Sequence, residues 1–125
     1  MSERAIFLIE DNAAFRTLLL EYLSALGYAV HAFASAEEVL RCVARETSPA
    51  PELVISDIHM EQLTGFQLVT ELRQRTPDLP AILMTGFGNP ELERRALDEG
   101  AAYVEKPFQL PVIQDLVQKL LGDCR

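Results

Sequence analysis

The chain has 125 residues, of which 49% are apolar, enough to build the core of one domain of ordinary size. Its formal net charge of −8 repels phosphate backbones and anionic lipid headgroups, which argues against direct binding of nucleic acid or membrane. The apolar runs are short, no signal-peptide pattern opens the chain, and the cysteines lack the CxxC spacing of a zinc site. We therefore expect a single cytoplasmic domain over residues 1–125.

Five short apolar runs predict five β-strands. They cover residues 5–9, 29–33, 53–56, 81–84 and 102–105. Segments with helical periodicity or helix-capping signals lie between them, and this alternation indicates βαβ units with right-handed crossovers. The pattern predicts an α/β fold in which helices cover both faces of a five-stranded parallel sheet.

Several helix ends are marked in the sequence. The first helix has Asn12 as its predicted N-cap and Gly27 just beyond its end, and one of its faces is apolar: Phe15, Leu18, Leu19, Tyr22, Leu23 and Leu26. Further signals follow along the chain: a capping box from Ser35 to Glu38, the pair Asn89-Pro90, Gly100 after a helix, and Pro111 in the first turn of the last helix.

Polar residues stand at the ends of four of the five predicted strands. The first strand finishes in Glu10 and Asp11 and the third in Asp57, while Thr85 follows the fourth strand and Lys106 the fifth. In open parallel sheets, ligands bind outside the carboxyl ends of the strands, at the point where the strand order reverses. For the order 2-1-3-4-5, that point lies between strands one and three, so we expect these side chains to converge there.

Each of these residues has an ordinary explanation when it is taken alone. Asp11 could cap the first helix, Asp57 could be a turn residue, Thr85 a loop residue and Lys106 a solvated cation. All five residues, including one of the chain's only two lysines, fall at strand ends on one edge of the sheet. Five independent explanations are therefore disfavoured.

The acidic cluster indicates metal-assisted phosphoryl chemistry. Three carboxylates repel one another unless a cation is present, and an oxygen-only ligand set suits Mg²⁺. Mg²⁺ commonly shares a site with a phosphoryl group, and an aspartate can itself accept that group as a nucleophile. Lys106 would then neutralise phosphoryl charge, and Thr85 would bond a phosphoryl oxygen.

The chain resembles the receiver domain of bacterial two-component response regulators over nearly its whole length. The motifs that carry the resemblance are "IEDN" (9–12), "VISDIHM" (54–60), "LMTG" (83–86) and "EKPF" (105–108). The resemblance implies a flavodoxin-like, doubly wound α/β fold with strand order 2-1-3-4-5 and five helices on both faces. It also implies a phosphorylatable signalling switch, with self-catalysed phosphotransfer and dephosphorylation only, rather than an enzyme that acts on a separate substrate.

Residue roles follow from the same resemblance. Asp57 is the expected phosphoacceptor, and the expected Mg²⁺ ligands are Glu10, Asp11, Asp57 and the backbone carbonyl of His59. Thr85 and Lys106 are expected to contact the phosphoryl group, with a cis peptide bond between Lys106 and Pro107. Tyr103 stands where the family carries its switch aromatic, although a half-buried strand tyrosine is the alternative reading. Tyr103 and Phe108 are candidates for an output face formed by helix four, strand five and helix five, although Phe108 is equally compatible with the core.

The same family implies partners. The expected donor is a histidine kinase or a histidine phosphotransfer protein, and the expected output is an unknown partner, a fused effector domain or a homodimer. Two positions depart from the usual pattern. Met60-Glu61 replaces a common Met-Pro, and His59, with Phe87 opposite, is expected to alter the access of water to the phosphoryl group.

Two other functions remain as alternatives. A phosphate-independent, receiver-like interaction module would keep the fold without phosphorylation, although all five site residues are present. An aspartate-nucleophile phosphatase normally has a second aspartate two residues after the nucleophile, where this chain has His59. A dinucleotide-binding enzyme is disfavoured because the first strand-to-helix turn, "EDNAAF", contains no glycine.

Overall fold

Five parallel strands and five helices alternate along the part of the chain that the structure describes. The computed structural model describes residues 5–45 and 50–122. The strands pair in the order β2-β1-β3-β4-β5, so the predicted fold class and strand order are confirmed. In chain order the elements are β1 (Ala5–Ile9), α1 (Ala13–Ala25), β2 (Ala29–Phe33), α2 (Ala36–Val43), β3 (Leu53–Asp57), α3 (Gly65–Arg75), β4 (Ala81–Thr85), α4 (Pro90–Asp98), β5 (Ala102–Glu105) and α5 (Leu110–Leu121).

Two apolar clusters cover the two faces of the sheet. On one face, α1 and α5 contribute residues such as Leu19 and Val117. On the other face, α2, α3 and α4 contribute residues such as Val39, Phe66 and Ala96. Strands β1, β3 and β4 are buried along their whole length, because helices on both faces shield them from water. Among the described residues, no helix has both the length and the apolar character that crossing a bilayer requires.

Side-chain caps fix the starts of four helices. Asn12, Ser35 and Asn89 each accept a hydrogen bond from a backbone N–H in the first turn, as predicted. The predicted capping box at Ser35 is only half formed, because the Glu38 carboxylate accepts from the N–H of Ala34 instead of Ser35. A complete capping box begins α3 between Thr64 and Gln67, where none was predicted.

The structure corrects some details of the predicted elements and confirms one helix end. Strand β3 ends in Asp57, one residue beyond its apolar run, and strand β4 includes Thr85 as its last residue instead of ending before it. Helix α1 ends at Ala25 with Leu26 as its C-cap, so Gly27 is the C′ residue, as predicted, and its φ of 103° is the left-handed conformation that glycine adopts without strain. Leu18 was predicted to lie on the buried face of α1 but is 45% exposed.

Candidate functional site

The ends of β1 and β3 bring three carboxylates together. These strands are neighbours in the sheet, and oxygens of Glu10, Asp11 and Asp57 all lie within 4.8 Å of one another. Glu10 is only 1% exposed and Asp57 8%, whereas Asp11 lies on the surface. The convergence of acidic groups that the sequence predicts at this edge of the sheet is therefore present.

Lys106 reaches the same carboxylates from the end of β5. Its ammonium lies 2.5 Å from Oε1 of Glu10 and 3.1 Å from Oδ2 of Asp57. Its backbone N–H donates to the carbonyl of Thr85 at 2.8 Å, which joins the loop after β5 to the end of β4. The Lys106–Pro107 peptide bond is cis, the isomer that the resemblance implied.

Burial and pairing shift the ionisation of two of these groups. Burial raises the pKa of the Glu10 carboxyl above its ordinary value, and the hydrogen bond from Lys106 offsets this effect only in part. Burial alone would lower the pKa of Lys106, but its hydrogen bonds to Glu10 and Asp57 outweigh burial and raise that pKa. The ammonium is therefore held charged between two acidic side chains.

Thr85 is placed beside this cluster at the end of β4. The residue is fully buried, and its hydroxyl oxygen accepts a hydrogen bond from the N–H of Phe87 at 3.0 Å. This bond ties the threonine to the β4–α4 loop. A change in the direction of the hydroxyl would therefore release a backbone donor of that loop.

The loop after Asp57 packs closely against α3. The N–H of Ile58 donates to the carbonyl of Met84 at 2.7 Å, and the N–H of Gly65 donates to the carbonyl of Ile58 at 2.9 Å. A Cβ atom on Gly65 would lie 2.5 Å from the carbonyl oxygen of Asp57. Glycine is thus required for this close approach, a role that its position in the sequence did not reveal.

Tyr103 lies under the β4–α4 loop near the exposed end of β5. Its ring is half-buried, and its hydroxyl donates to Oε2 of Glu105 at 3.0 Å. Partial burial raises the pKa of Tyr103, and the neighbouring Glu105 carboxylate adds to this effect. A Cβ atom on Gly88 would lie 2.2 Å from the tyrosine hydroxyl and 1.8 Å from Oε2 of Glu105, so the loop closes directly over this pair.

The remaining predicted residues lie around the rim of the site. His59 is exposed, and its ring meets that of Phe87 edge-on, with centroids 6.0 Å apart. Phe108 is partly buried against the α1 and α5 cluster, whereas Tyr103 packs against the cluster on the opposite face. The two candidates for the output face therefore contact different cores.

The donor set fits a hard divalent cation. All three acidic side chains offer oxygen atoms, and two of them already pair with the ammonium of Lys106. Mg²⁺ prefers such oxygen ligands and is usually held by a small number of carboxylates together with water and phosphate. The residues at this edge of the sheet are thus suited to Mg²⁺.

One neighbour of the site was missed by the sequence interpretation. The ring of Phe15, in the first turn of α1, lies under the Lys106 ammonium at 4.9 Å from ring centroid to nitrogen. The pattern placed Phe15 on the apolar face of the helix, which is correct, but gave no sign that this face reaches the lysine.

Comparisons with known proteins identify the family. The family model described as the response regulator receiver domain matches residues 6–118. The chain is 40% identical over 115 residues to the response regulator protein FleR of Pseudomonas aeruginosa, covering 91% of this chain and 24% of FleR. It is 30% identical over 123 residues to the DNA-binding transcriptional regulator NtrC of Escherichia coli, covering 98% of this chain and 26% of NtrC. The chain thus spans about a quarter of the length of these relatives.

A solved structure agrees with this assignment. The response regulator receiver domain protein of Clostridium thermocellum superposes with a TM-score of 0.84 at 26% identity, covering 94% of each chain. The family match extends over nearly all of this chain, and the motifs that carried the resemblance lie together at one edge of the sheet. The protein belongs to the response regulator receiver domain family, the signalling switches of two-component systems.

Proposed function

We propose that Asp57 accepts a phosphoryl group from a phosphohistidine of a histidine kinase or phosphotransfer protein. The observation that carries this proposal is the position of Asp57: it ends a buried strand within an acidic cluster, and its Oδ2 lies 3.1 Å from the Lys106 ammonium. A carboxylate oxygen of Asp57 forms the new P–O bond as the P–N bond of the donor breaks, and the leaving imidazole takes a proton from water. Hydrolysis reverses the modification, because water attacks phosphorus and Asp57 leaves as a carboxylate.

The surrounding residues hold the site in position and balance its charge. Glu10, Asp11, Asp57 and the backbone carbonyl of His59 would hold Mg²⁺, which when bound neutralises charge on the phosphoryl oxygens. Lys106 would move its hydrogen bond from the Asp57 carboxylate to a phosphoryl oxygen. In this way the domain itself supplies the groups needed for both phosphotransfer and dephosphorylation.

Phosphorylation of Asp57 would change the surface of the domain through the contacts of Thr85 with the β4–α4 loop. The Thr85 hydroxyl would turn toward the phosphoryl group and give up its bond to the N–H of Phe87, which loosens the β4–α4 loop over Tyr103. We propose that this change alters the face formed by α4, β5 and α5, including Tyr103 and Phe108, and so controls binding to a partner, to a fused output domain or to a second copy.

The setting of the domain is part of the proposal. Receiver domains of response regulators work with histidine kinases and fused output domains, and the relatives FleR and NtrC are longer than this chain. We propose one phosphoacceptor domain over residues 1–125, acting in the cytoplasm, that does not itself contact nucleic acid or membrane.

Amide NMR spectra provide the test of the switch. Mg²⁺ is added first, and beryllofluoride, which mimics a phosphoryl group on Asp57, is added second. We expect Mg²⁺ to shift signals around Asp11 and Asp57, and beryllofluoride to shift signals further away, at Phe87 to Asn89 and along β5. Beryllofluoride shifts confined to the acidic cluster would contradict the switch, and Asp57→Ala is the control that should abolish them.

A further inference from the structure

Among the described residues, the Lys106 ammonium contacts two carboxylates and an aromatic ring. The carboxylates are those of Glu10 and Asp57, at 2.5 and 3.1 Å. The ring is that of Phe15, whose centroid lies 4.9 Å from the ammonium nitrogen, within the range of a cation–π contact. The lysine side chain is only 22% exposed, and the ring of Phe15 covers one side of its ammonium.

The ring of Phe15 is itself held in place. The backbone N–H of Phe15 donates to Oδ1 of Asn12 at 2.9 Å, the capping bond that begins α1. Phe108 meets it edge-on, with centroids 5.6 Å apart and an angle of 70° between the rings. Phe108 lies two residues beyond Lys106 in the chain, so the lysine and the residue that braces its aromatic neighbour belong to the same short segment. The ring therefore has a fixed position relative to the segment that carries the ammonium.

We propose that Phe15, braced by Phe108, is a positioning residue for Lys106. In the unphosphorylated domain, the ammonium rests on the ring while it pairs with Glu10 and Asp57. When Asp57 carries a phosphoryl group, the ammonium stays in contact with this ring and bonds a phosphoryl oxygen. It therefore does not become fully hydrated between the two states. This inference rests on the proposed phosphorylation of Asp57 and adds a specific aromatic contribution to it.

The cation–π contact between Phe15 and Lys106 can be weakened with little change in the shape of the phenylalanine side chain. Fluorine atoms on the ring of phenylalanine withdraw charge from its face and reduce cation–π attraction in steps. We would replace Phe15 by 4-fluoro-, 3,5-difluoro- and 3,4,5-trifluorophenylalanine and measure the Kd of beryllofluoride by amide NMR at saturating Mg²⁺. Lys106 gives up its bond to Asp57 in the bound state and so depends more on the ring there, and the Kd should therefore rise with each step, by about twofold to fivefold over the series.

Two controls separate positioning from packing. Phe33 is also half-buried but packs on the ring of Phe7, and the same series at Phe33 should leave the Kd unchanged. In a Lys106→Met background, the cation is gone, so fluorination of Phe15 should have no effect on the Kd. An unchanged Kd across the Phe15 series, or an equal rise at Phe33 or in Lys106→Met, would overturn the positioning role.

The same titrations distinguish a failure of this inference from a failure of the proposed function. If the unmodified domain binds beryllofluoride but the Phe15 series is flat, the phosphoacceptor function stands and the role of Phe15 falls. If the unmodified domain does not bind beryllofluoride at all, the proposed function falls, and the positioning role falls with it.

Discussion

The ammonium of Lys106 pairs with the buried carboxylate of Glu10 across a sequence separation of 96 residues, at 2.5 Å. This bond joins the segment after β5 to the end of β1, across the full width of the site. The same ammonium bonds Asp57, so one cation balances two acidic groups. We infer that the lysine stabilises the unphosphorylated domain as well as contributing to phosphoryl chemistry.

Replacement of this lysine should therefore reduce stability and increase the affinity for Mg²⁺. In Lys106→Met, Glu10 and Asp57 repel each other without a cation, and we expect the free energy of unfolding to fall by about 2 kcal/mol in EDTA. This is less than the ~3–5 kcal/mol of a fully buried pair, because the lysine side chain is 22% exposed. Mg²⁺ should then recover much of the loss and bind more tightly than in wild type.

Urea unfolding with and without Mg²⁺ measures both effects. The matched control is Lys119→Met, which removes the chain's other lysine from an exposed position on α5. Equal stability of the two variants, with equal affinity for Mg²⁺, would show that Lys106 does not hold the acidic cluster together.

The raised pKa of Glu10 predicts a dependence of stability on pH. Burial raises this pKa above its ordinary value of 4.5, so above pH 4.5 the folded state retains a proton that the unfolded state has lost. In EDTA, the stabilisation that this proton gives is lost as the pH rises through the folded pKa. Because Glu10→Gln does not titrate, its free energy of unfolding minus that of wild type should increase with pH across this window.

Urea unfolding between pH 4 and pH 8 gives this difference directly. Glu71→Gln, at an exposed position on α3, provides the matched control. A difference that stays flat for Glu10→Gln, or that falls as the pH rises, would contradict the effect of burial on this carboxyl.

A side chain at Gly88 should displace Tyr103 from Glu105. In Gly88→Ala, the new Cβ atom would lie 1.8 Å from Oε2 of Glu105 and 2.2 Å from the tyrosine hydroxyl, so both side chains must move. Burial and the nearby carboxylate raise the pKa of Tyr103, and we expect that pKa to fall in the variant. NMR titration of the Tyr103 ring signals measures it, and Gly86→Ala is the control, because its Cβ would meet nothing within 4 Å. An identical Tyr103 pKa in the two variants would refute this prediction.

The edge-on pair of His59 and Phe87 should slow hydrolysis of the phosphoryl group. The rings lie 6.0 Å apart at the rim of the site, where they can restrict the approach of water. We expect His59→Ala and Phe87→Ala each to shorten the lifetime of the phosphorylated protein severalfold, measured by intact mass after removal of the phosphate donor. Leu97→Ala removes an exposed apolar side chain from α4 and serves as the control. Lifetimes that match this control would exclude a shielding role.

The sequence predicted the elements well because strands and helix caps are encoded locally. Each of the five strands begins at the residue that its apolar run indicated, and Asn12, Ser35 and Asn89 cap their helices as expected. The error at Leu18 has a geometric cause. It lies about 100° around the helix from Leu19, at the border of the apolar face, and the packing of the helix on the sheet decides whether such a residue is covered.

The site was predictable in outline but not in its contacts. The topology of a parallel sheet brings the ends of β1, β3, β4 and β5 to one edge, so the convergence of acidic residues and a lysine followed from the strand positions alone. The pairing of Lys106 with Glu10 and the ring of Phe15 depends on side-chain positions far apart in sequence, which local patterns do not specify. The close approach of Gly65 to Asp57 is a tertiary contact of the same kind.

Intact mass spectrometry after incubation with acetyl phosphate and Mg²⁺ tests the phosphorylation of Asp57 most directly. Wild type should gain one phosphoryl group, about 80 Da by composition, as aspartyl phosphate chemistry requires. Asp57→Asn, and wild type in EDTA, should gain none. The same adduct in Asp57→Asn would contradict Asp57 as the phosphoacceptor. Absence of the adduct in wild type would also contradict it, and would favour a receiver-like interaction module that works without phosphate.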